Sequence, residues 1–407
     1  MTAWPPNLLV HCVAWQRRSL VVGLVAVAAL TVGGLFDPPQ FFRAYLASYL
    51  FFFGIALGSM ALLMIYNLTG GAWGFLIRRF LEAALGTLPL VAVAFLPIAA
   101  GASYLYPWAQ PALVESNELV QFQQIYMHPP LVWARALLFF LLWVVLAFLL
   151  GAASRAQDRA ATARQPRWSE YLNGFGLVIY GVSIHFASID WLMSLQPAFH
   201  STIFGPLVVS SQLLSAHALA LGGLVLCSGH EPLAERISLK ALTDLGNLLL
   251  SFVVVWTYMC WFQFMLIWIA NMPVDVVWYA PRLQNGWQWM ALGLVVFGFA
   301  VPFLLLLWRR VKQKPRAVAW ICGLVLATQA AFSIYQVSPP FQRYGFGEHW
   351  MEPLALVALG GVWVALFLRK LQGRPILPLR DPNEASAVHL RESDEHEAQW
   401  EESLSHG

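Results

Sequence analysis

Charged side chains are scarce in this chain of 407 residues. Asp, Glu, Lys and Arg together make up 11% of the sequence, whereas hydrophobic residues make up 59%. A soluble protein carries roughly a quarter charged residues, so this scarcity excludes an ordinary soluble domain and indicates a polytopic membrane protein. The formal net charge is only +3, and we expect the lipid bilayer, not nucleic acid, to contact the protein.

Cysteine is also rare, and its spacing lacks the patterns of metal and haem sites. No C-x-x-C or C-x-x-C-H arrangement occurs among Cys12, Cys227, Cys260 and Cys322, which removes the usual signatures of iron–sulfur clusters, structural zinc and c-type haem. His185 and His217 cannot share a haem, because their predicted heights differ by about 13 Å. The sequence also lacks a nucleotide-binding loop, a hydrolase triad and a zinc helix motif. We therefore expect no metal and no cofactor on this chain.

Apolar runs of about 20 residues, the length that crosses ~30 Å of hydrocarbon as a helix, are frequent. Ten occur, at 18–36, 44–66, 83–105, 131–152, 171–195, 203–227, 243–270, 287–308, 316–337 and 350–370. They predict an all-α domain of ten transmembrane helices over residues 1–379. We interpret the first run as a retained helix, with a cleaved signal peptide as the alternative. Residues 380–407 form a polar acidic tail that we expect to be disordered.

The basic residues are distributed unequally between the two sides that ten crossings define. With both termini on one side, that side holds 20 of the 24 Lys and Arg residues, and the other holds Arg43, Arg135, Arg282 and Arg343. Cytoplasmic loops carry the excess of basic residues. We therefore expect a multi-pass membrane protein with both termini in the cytoplasm.

The two halves of the chain share small-residue patterns. Helix two carries Gly54-x-x-x-Gly58 and helix six carries Ser211-x-x-x-Ser215, and such stripes let helices approach closely. Helices three and seven also open similarly, with Leu-Gly after an acidic residue. We expect a parallel repeat of two four-helix bundles, over about 44–195 and 203–337, with peripheral helices beside them.

Four polar residues are predicted to converge near the outer face: His128, Arg135, His185 and Asp190. Ionisable groups inside a bilayer are costly and indicate function by default. A histidine and a carboxylate beside a lipid-accessible pocket could accept a proton from a quinol and orient its ring. The alternative is that Arg135 pairs with Asp190 to join two helices and His185 packs between helices.

On the cytoplasmic side, Glu82 and Asp244 precede the apolar parts of helices three and seven. One hypothesis is a proton-entry mouth, continued along helix seven by Tyr258 and Gln263. The alternative is that the two carboxylates only complement helix dipoles and that Gln263 is an interhelical hydrogen bonder.

Several separated stretches carry a resemblance to a known family. They are LTGGAWG at 68–74, RRxxEA at 78–83, LYPW at 105–108, DWLMSLQP at 190–197, STIFG at 201–205, DLG at 244–246 and QFxxIWxxNxP at 263–273. In these stretches the chain resembles the NrfD-like, polysulfide-reductase-type membrane subunits. It is most similar to the smaller such subunit of alternative complex III, a quinol:cytochrome c oxidoreductase.

The resemblance implies a respiratory electron-transport complex of the bacterial cytoplasmic (inner) membrane, in which this chain is not catalytic alone. Implied partners are a sister NrfD-like membrane subunit, an iron–sulfur subunit, and multihaem and monohaem cytochrome c subunits. Iron–sulfur clusters and haem c belong to those partners, and quinol or menaquinol is the implied substrate. A proton path is implied for the smaller subunit. The chain departs from the pattern at Asn247, where such chains have Lys, which removes the expected Asp–Lys pair.

Two other functions fit the same residues. A secondary transporter would hold its substrate between the two parallel halves. A purely structural membrane anchor would use every polar group named above in packing.

Overall fold

A computed structural model describes residues 4–159, 167–341, 350–378 and 381–385, together with residues 388 and 392. These ranges contain no strand, and ten of their helices are long and apolar enough to cross a membrane. The ten are α1 (Pro6–Phe36), α2 (Pro38–Thr69), α3 (Ala72–Ala100), α4 (Pro129–Arg159), α5 (Arg167–Trp191), α6 (Phe204–Cys227), α7 (Leu239–Ala270), α8 (Trp287–Leu307), α9 (Pro315–Val337) and α10 (Met351–Gln372). The predicted all-α multi-pass membrane protein is confirmed.

Helix α3 begins at Ala72, well before the predicted residue 83. The two adjacent arginines Arg78 and Arg79 predict a loop for the intervening stretch. In the structure both are buried in the helix and paired with carboxylates. Pairing removes the cost that would otherwise keep two charges out of a helix bundle. The helix is also interrupted after Leu85 and after Val93, and a proline follows each interruption, which suits the first turn of a new segment.

Helices α2 and α6 pack against each other at the centre of the fold. Helix α2 also contacts α3, α5, α9 and α10, and α6 also contacts α3, α5, α7 and α9. A Cβ atom on Gly58 would lie 2.1 Å from the backbone oxygen of Gln212, so only glycine permits this approach. The predicted role of the Gly54–Gly58 stripe in close packing is therefore confirmed.

Helices α1 and α10 form a pair at the side of α2. Their backbones meet where Gly23 faces Gly361. The Trp4 indole N–H donates to the Arg374 carbonyl oxygen at 2.8 Å, so the described residues at the two ends of the chain lie at one end of the bundle. We call this end the terminal face and the other end the opposite face.

Short helices cover the opposite face. Between α3 and α4 they are Ala102–Leu105, Pro107–Ala109, Pro111–Ser116 and Glu118–Met127, and between α7 and α8 they are Pro273–Val276 and Pro281–Leu283. On the terminal face, the helix Arg309–Lys312 joins α8 to α9. These connections place polar side chains over the ends of the long helices.

The start of the acidic tail is docked, contrary to the expectation of disorder. Asp381 is buried and accepts hydrogen bonds from the Tyr66 hydroxyl at 2.8 Å and from Arg78 at 2.6 Å. Asn383 accepts from the Gly71 backbone N–H at 2.9 Å. The charge on Arg78 recruits this segment, an interaction that tail composition alone does not reveal. Most of the remaining tail lies outside the described residues.

The contact at Gly58 generates the first prediction. Gly58→Ala should strongly destabilise the protein, by about 2 kcal/mol or more, because the new methyl group would force α2 and α6 apart. Gly181→Ala in α5 is the matched control, since a Cβ there meets nothing within 4 Å. Thermal unfolding of the purified proteins would measure both, and equal melting temperatures would contradict the packing described here.

Candidate functional site

An ion pair joins α4 to α5 near the opposite face. Arg135 Nε lies 2.9 Å from Asp190 Oδ2, and its Nη2 lies 3.0 Å from Oδ1, which makes the contact bidentate. The Asp190 side chain is completely buried, whereas 21% of the Arg135 side chain is exposed. Charge-assisted bidentate pairs fix geometry as well as charge. The structure therefore brings these two of the four predicted residues together.

The sequence before α4 explains how Arg135 reaches this position. His128 has an extended backbone because Pro129 follows it, and α4 starts directly afterwards. Arg135 is then two turns into the helix, where its Nη1 donates to the Tyr126 carbonyl oxygen at 2.9 Å. Its guanidinium carbon also lies 3.9 Å from the centre of the Tyr126 ring. Burial, followed by the charge on Asp190, raises the pKa of Tyr126 to about 12.

The two histidines do not join the ion pair. His128 is exposed at the start of α4, and its side chain makes no hydrogen bond or ion pair with the described residues. His185 is half-buried and packs against Gly205 at the start of α6, where a Cβ would lie 2.2 Å from its Nδ1. Five residues separate His185 from Asp190, which turns them to different sides of α5. The predicted four-residue site is thus a two-residue pair, and the packing alternative for His185 fits its position.

Motif residues far apart in sequence meet around this pair. The Tyr106 hydroxyl donates to the Trp191 carbonyl oxygen at 3.2 Å, and the Trp108 indole N–H donates to Ser194 Oγ at 3.2 Å. Ser194 Oγ in turn donates to the Asp190 carbonyl oxygen at 2.5 Å. The LYPW stretch at 105–108 therefore covers the end of α5 that carries Asp190.

Arg282 is fully buried near the opposite face, whereas the sequence predicted it only as a charge in a loop. It donates to the backbone oxygens of Trp278, Tyr335 and Gln336 and to the side-chain oxygen of Gln196. Its guanidinium carbon lies 3.5 Å from the centre of the Trp278 ring, and no carboxylate of the described residues pairs with it. Burial lowers the pKa of Arg282 to about 9, so the side chain is still a cation at neutral pH. It ties the connection 271–286 to the ends of α5 and α9.

On the terminal face, Glu82 is the centre of a charge network. Its carboxylate is 2.9 Å from Arg78, 2.6 Å from Arg79 and 2.9 Å from Arg374, and it accepts from Ser154 Oγ at 2.6 Å. Further carboxylates complete the network: Asp381 pairs with Arg78, and Asp158 pairs with Arg79 at 2.6 Å. Glu82 therefore links α3, α4 and the segment after α10. The alternative that this carboxylate only complements a helix dipole does not account for these contacts.

The other residues of the predicted proton path lie apart from Glu82. Asp244 is exposed near the start of α7, and Tyr258 is exposed on its outer surface and stacks on Phe262. Gln263 is buried near the opposite face, where it accepts from Ser201 Oγ at 2.6 Å. The structure thus brings none of these four residues together, because helix α7 is long and turns Tyr258 outwards.

A lysine from a distant part of the chain lies beside Asn247, the position at which the sequence departs from the pattern of NrfD-like subunits. Lys312 packs on Gly246, and its ammonium donates to Asn247 Oδ1 at 2.5 Å. Burial lowers the pKa of Lys312. Close by, the buried His217 in α6 contacts the Leu245 carbonyl oxygen through Nε2 at 3.0 Å. A cation is therefore present beside the DLG stretch although the expected lysine is absent from the sequence there.

A small polar cavity lies between α2, α5, α6 and α9. Its volume is about 40 Å³, and Ser211, Gln212, Gln329 and Gln336 are among its lining residues. Gln212 accepts from the Tyr180 hydroxyl at 2.8 Å, and Gln329 accepts from Ser211 Oγ at 2.6 Å. The buried amide nitrogens of Gln329 and Gln336 have no hydrogen-bond partner in the described residues. Buried amide donors are normally satisfied, so these two favour bound water in the cavity.

The burial difference within the ion pair generates the second prediction. Asp190→Asn and Arg135→Gln should each destabilise the protein, and Arg135→Gln more strongly, by about 3 kcal/mol or more, because it leaves a fully buried anion unpaired. The double variant should lose less than the sum of the two. Thermal unfolding of the three variants would measure these losses. His128→Gln changes an exposed residue and is the control, whose free energy of unfolding should stay within about 0.5 kcal/mol of the native value. Additive losses would mean that the two groups do not interact.

Comparison with known proteins adds no relative. No protein-family model matches this chain, and no curated protein matches it. The NrfD-like resemblance accordingly depends on the motif residues quoted above, and function has to be argued from the contacts that these residues make.

Proposed function

We propose that this chain is a cofactor-free membrane subunit of a quinol:cytochrome c oxidoreductase of the alternative complex III type. The observation that supports this most is the convergence of the motif stretches. LYPW at 105–108 meets DWLMSLQP at 190–197, and the STIFG stretch at 201–205 meets Gln263 of the QFxxIWxxNxP stretch. Contact between separated motif stretches is what a shared family fold would require, and this is the support that the contacts give to the proposal.

The proposal includes the fold of that family, with two four-helix bundles. The contacts α2–α3, α3–α4, α4–α5 and α5–α2 close one ring, and α6–α7, α7–α8, α8–α9 and α9–α6 close a second. The α2–α6 contact would join the bundles, with α1 and α10 as the peripheral pair. We also propose that the terminal face is cytoplasmic, because it carries most of the basic residues.

The geometry favours a supporting role for Arg135 and Asp190 over a chemical one. Neither residue lines the cavities of about 550, 40, 300 and 740 Å³ in the described part of the chain, and the Asp190 carboxylate is fully buried against its partner. A general base must lie within hydrogen-bond reach of the proton that it accepts. We therefore propose that the pair holds the opposite face rigid for partner subunits, while the reacting quinol binds to the sister subunit.

We propose that protons pass through the cavity between α2, α5, α6 and α9. This route has more support than the path through Asp244 and Tyr258. The cavity lies between the two proposed bundles, and its size admits water. Polar side chains facing the interior of a helix bundle mark ion and proton pathways. Ser211, Gln212 and Gln329 would hold water molecules in line and would not be proton acceptors themselves.

The secondary-transporter alternative requires a solute site between the halves. Sites for small molecules occupy roughly 300–1,000 Å³, whereas the cavity between the halves measures about 40 Å³. That space suits water and is too small for an organic solute, which favours the subunit proposal.

Co-purification tests the proposal directly, and this is the third prediction. The tagged chain isolated from its native membrane should bring iron–sulfur and multihaem cytochrome c subunits with it, and iron and haem should be present in fixed ratio to the chain. The same chain expressed alone should carry neither. A chain that purifies alone from its native membrane and moves a solute into liposomes would establish the transporter instead.

The fourth prediction concerns the proton route. In the assembled complex, Gln329→Leu should lower proton release per quinol oxidised by at least about half, because an apolar side chain cannot hold water in the cavity. Proton release from complex in liposomes would be followed with a pH-sensitive dye, alongside quinol oxidation with an uncoupler. Thr257→Val, which removes only a bond to the Val253 carbonyl oxygen, is the control. An unchanged ratio in Gln329→Leu would remove the cavity from the route.

A further inference from the structure

A basic cavity opens on the terminal face between α3, α4 and α10. Its volume is about 550 Å³. Its walls come from the break in α3 near Gly86, the second half of α4 and the end of α10. The volume is in the range of ligand-binding sites, and none of the functions proposed above uses it.

The lining of the cavity is strongly cationic. Five cationic side chains face one carboxylate, that of Glu82; the five are Arg78, Arg79, Arg155, Lys370 and Arg374. Even with Asp158 and Asp381, which pair with Arg79 and Arg78, the network keeps more cations than carboxylates. In the described part of the chain, Arg155 and Lys370 have no carboxylate partner, and both are exposed.

The cavity is also amphipathic along the membrane normal. On α4, Val144, Ala147 and Phe148 line it below Arg155, and the distance from Val144 to Arg155 along the helix is about 16 Å. On the facing side, Leu85 and Pro89 of α3 continue the apolar wall. The cationic groups therefore lie at the end of the helices, and the apolar groups lie deeper in the membrane.

We propose that this cavity binds one anionic phospholipid from the leaflet at the terminal face. Its phosphate would lie between Arg155 and Lys370, and its acyl chains would follow the wall formed by Val144, Ala147 and Phe148. Charge complementarity selects a headgroup of net negative charge, because a zwitterionic headgroup would bring its own cation beside Arg155 and Lys370. The apolar wall selects a lipid over a free phosphate ion, which would leave that wall uncovered.

Native mass spectrometry of the purified full chain tests the proposal. Dioleoylphosphatidylglycerol should bind at least about tenfold more tightly than dioleoylphosphatidylcholine. Arg155→Gln combined with Lys370→Gln should weaken phosphatidylglycerol about tenfold or more and leave phosphatidylcholine unchanged. Arg309→Gln with Arg310→Gln is the matched control, since it removes two exposed cations from the same face outside the cavity. This control should bind phosphatidylglycerol as the native chain does.

A third variant separates a lipid from a simple anion. Ala147→Trp fills the apolar part of the cavity without changing its charge, so it should weaken phosphatidylglycerol at least about tenfold. If glycerol phosphate competed fully and Ala147→Trp had no effect, the site would bind only an anion and the proposal would be overturned. Equal affinity for the two lipids in the native chain would overturn it as well. Size-exclusion profiles would establish that each variant is folded. If the double variant is misfolded, the phosphatidylglycerol affinities of the native chain and of Ala147→Trp test the proposal.

Discussion

Every charge that this protein carries into its interior has to be compensated, and much of the structure follows from that requirement. A charge in the hydrocarbon region costs several kcal/mol unless it is paired, hydrogen-bonded or hydrated. Asp190 is compensated by Arg135, and Glu82 by three guanidinium groups. Arg135 lies on another helix than Asp190, and one of the three groups around Glu82, that of Arg374, belongs to a distant segment, whereas the other two lie on α3 itself. The pairs therefore determine which helices lie side by side.

Arg282 shows a different way of meeting the same requirement. It lies at the opposite face beside the end of α9, as Arg135 lies beside the end of α5, but carbonyl oxygens and an aromatic ring take the place of a carboxylate. Both arginines lie on the opposite face, each beside the end of a long helix. A carbonyl cage allows burial without a partner charge, provided that most of the five guanidinium N–H groups find acceptors.

The number and approximate position of the helices could be predicted because length and apolarity are local properties of the sequence. The Arg135–Asp190 pair could be predicted for a similar reason, since both residues are rare charges at the same expected depth. The start of α3 and the docking of Asp381 could not, because each depends on a partner far away in the chain. The same limit applies to His185. Its distance from Asp190 along the sequence is short, but the helical turn directs it towards Gly205 and away from the pair.

Residue 247 shows why a motif alone does not define a site. The family pattern has lysine at this position, and its absence from the sequence suggested that the charge was missing. In the structure the short helix Arg309–Lys312 supplies an ammonium group to Asn247 from the other side. Lys312 rests on Gly246, where a larger residue would exclude it. The positive charge beside the DLG stretch is therefore supplied by Lys312. What matters at this point is the electrostatic environment, which more than one sequence can produce.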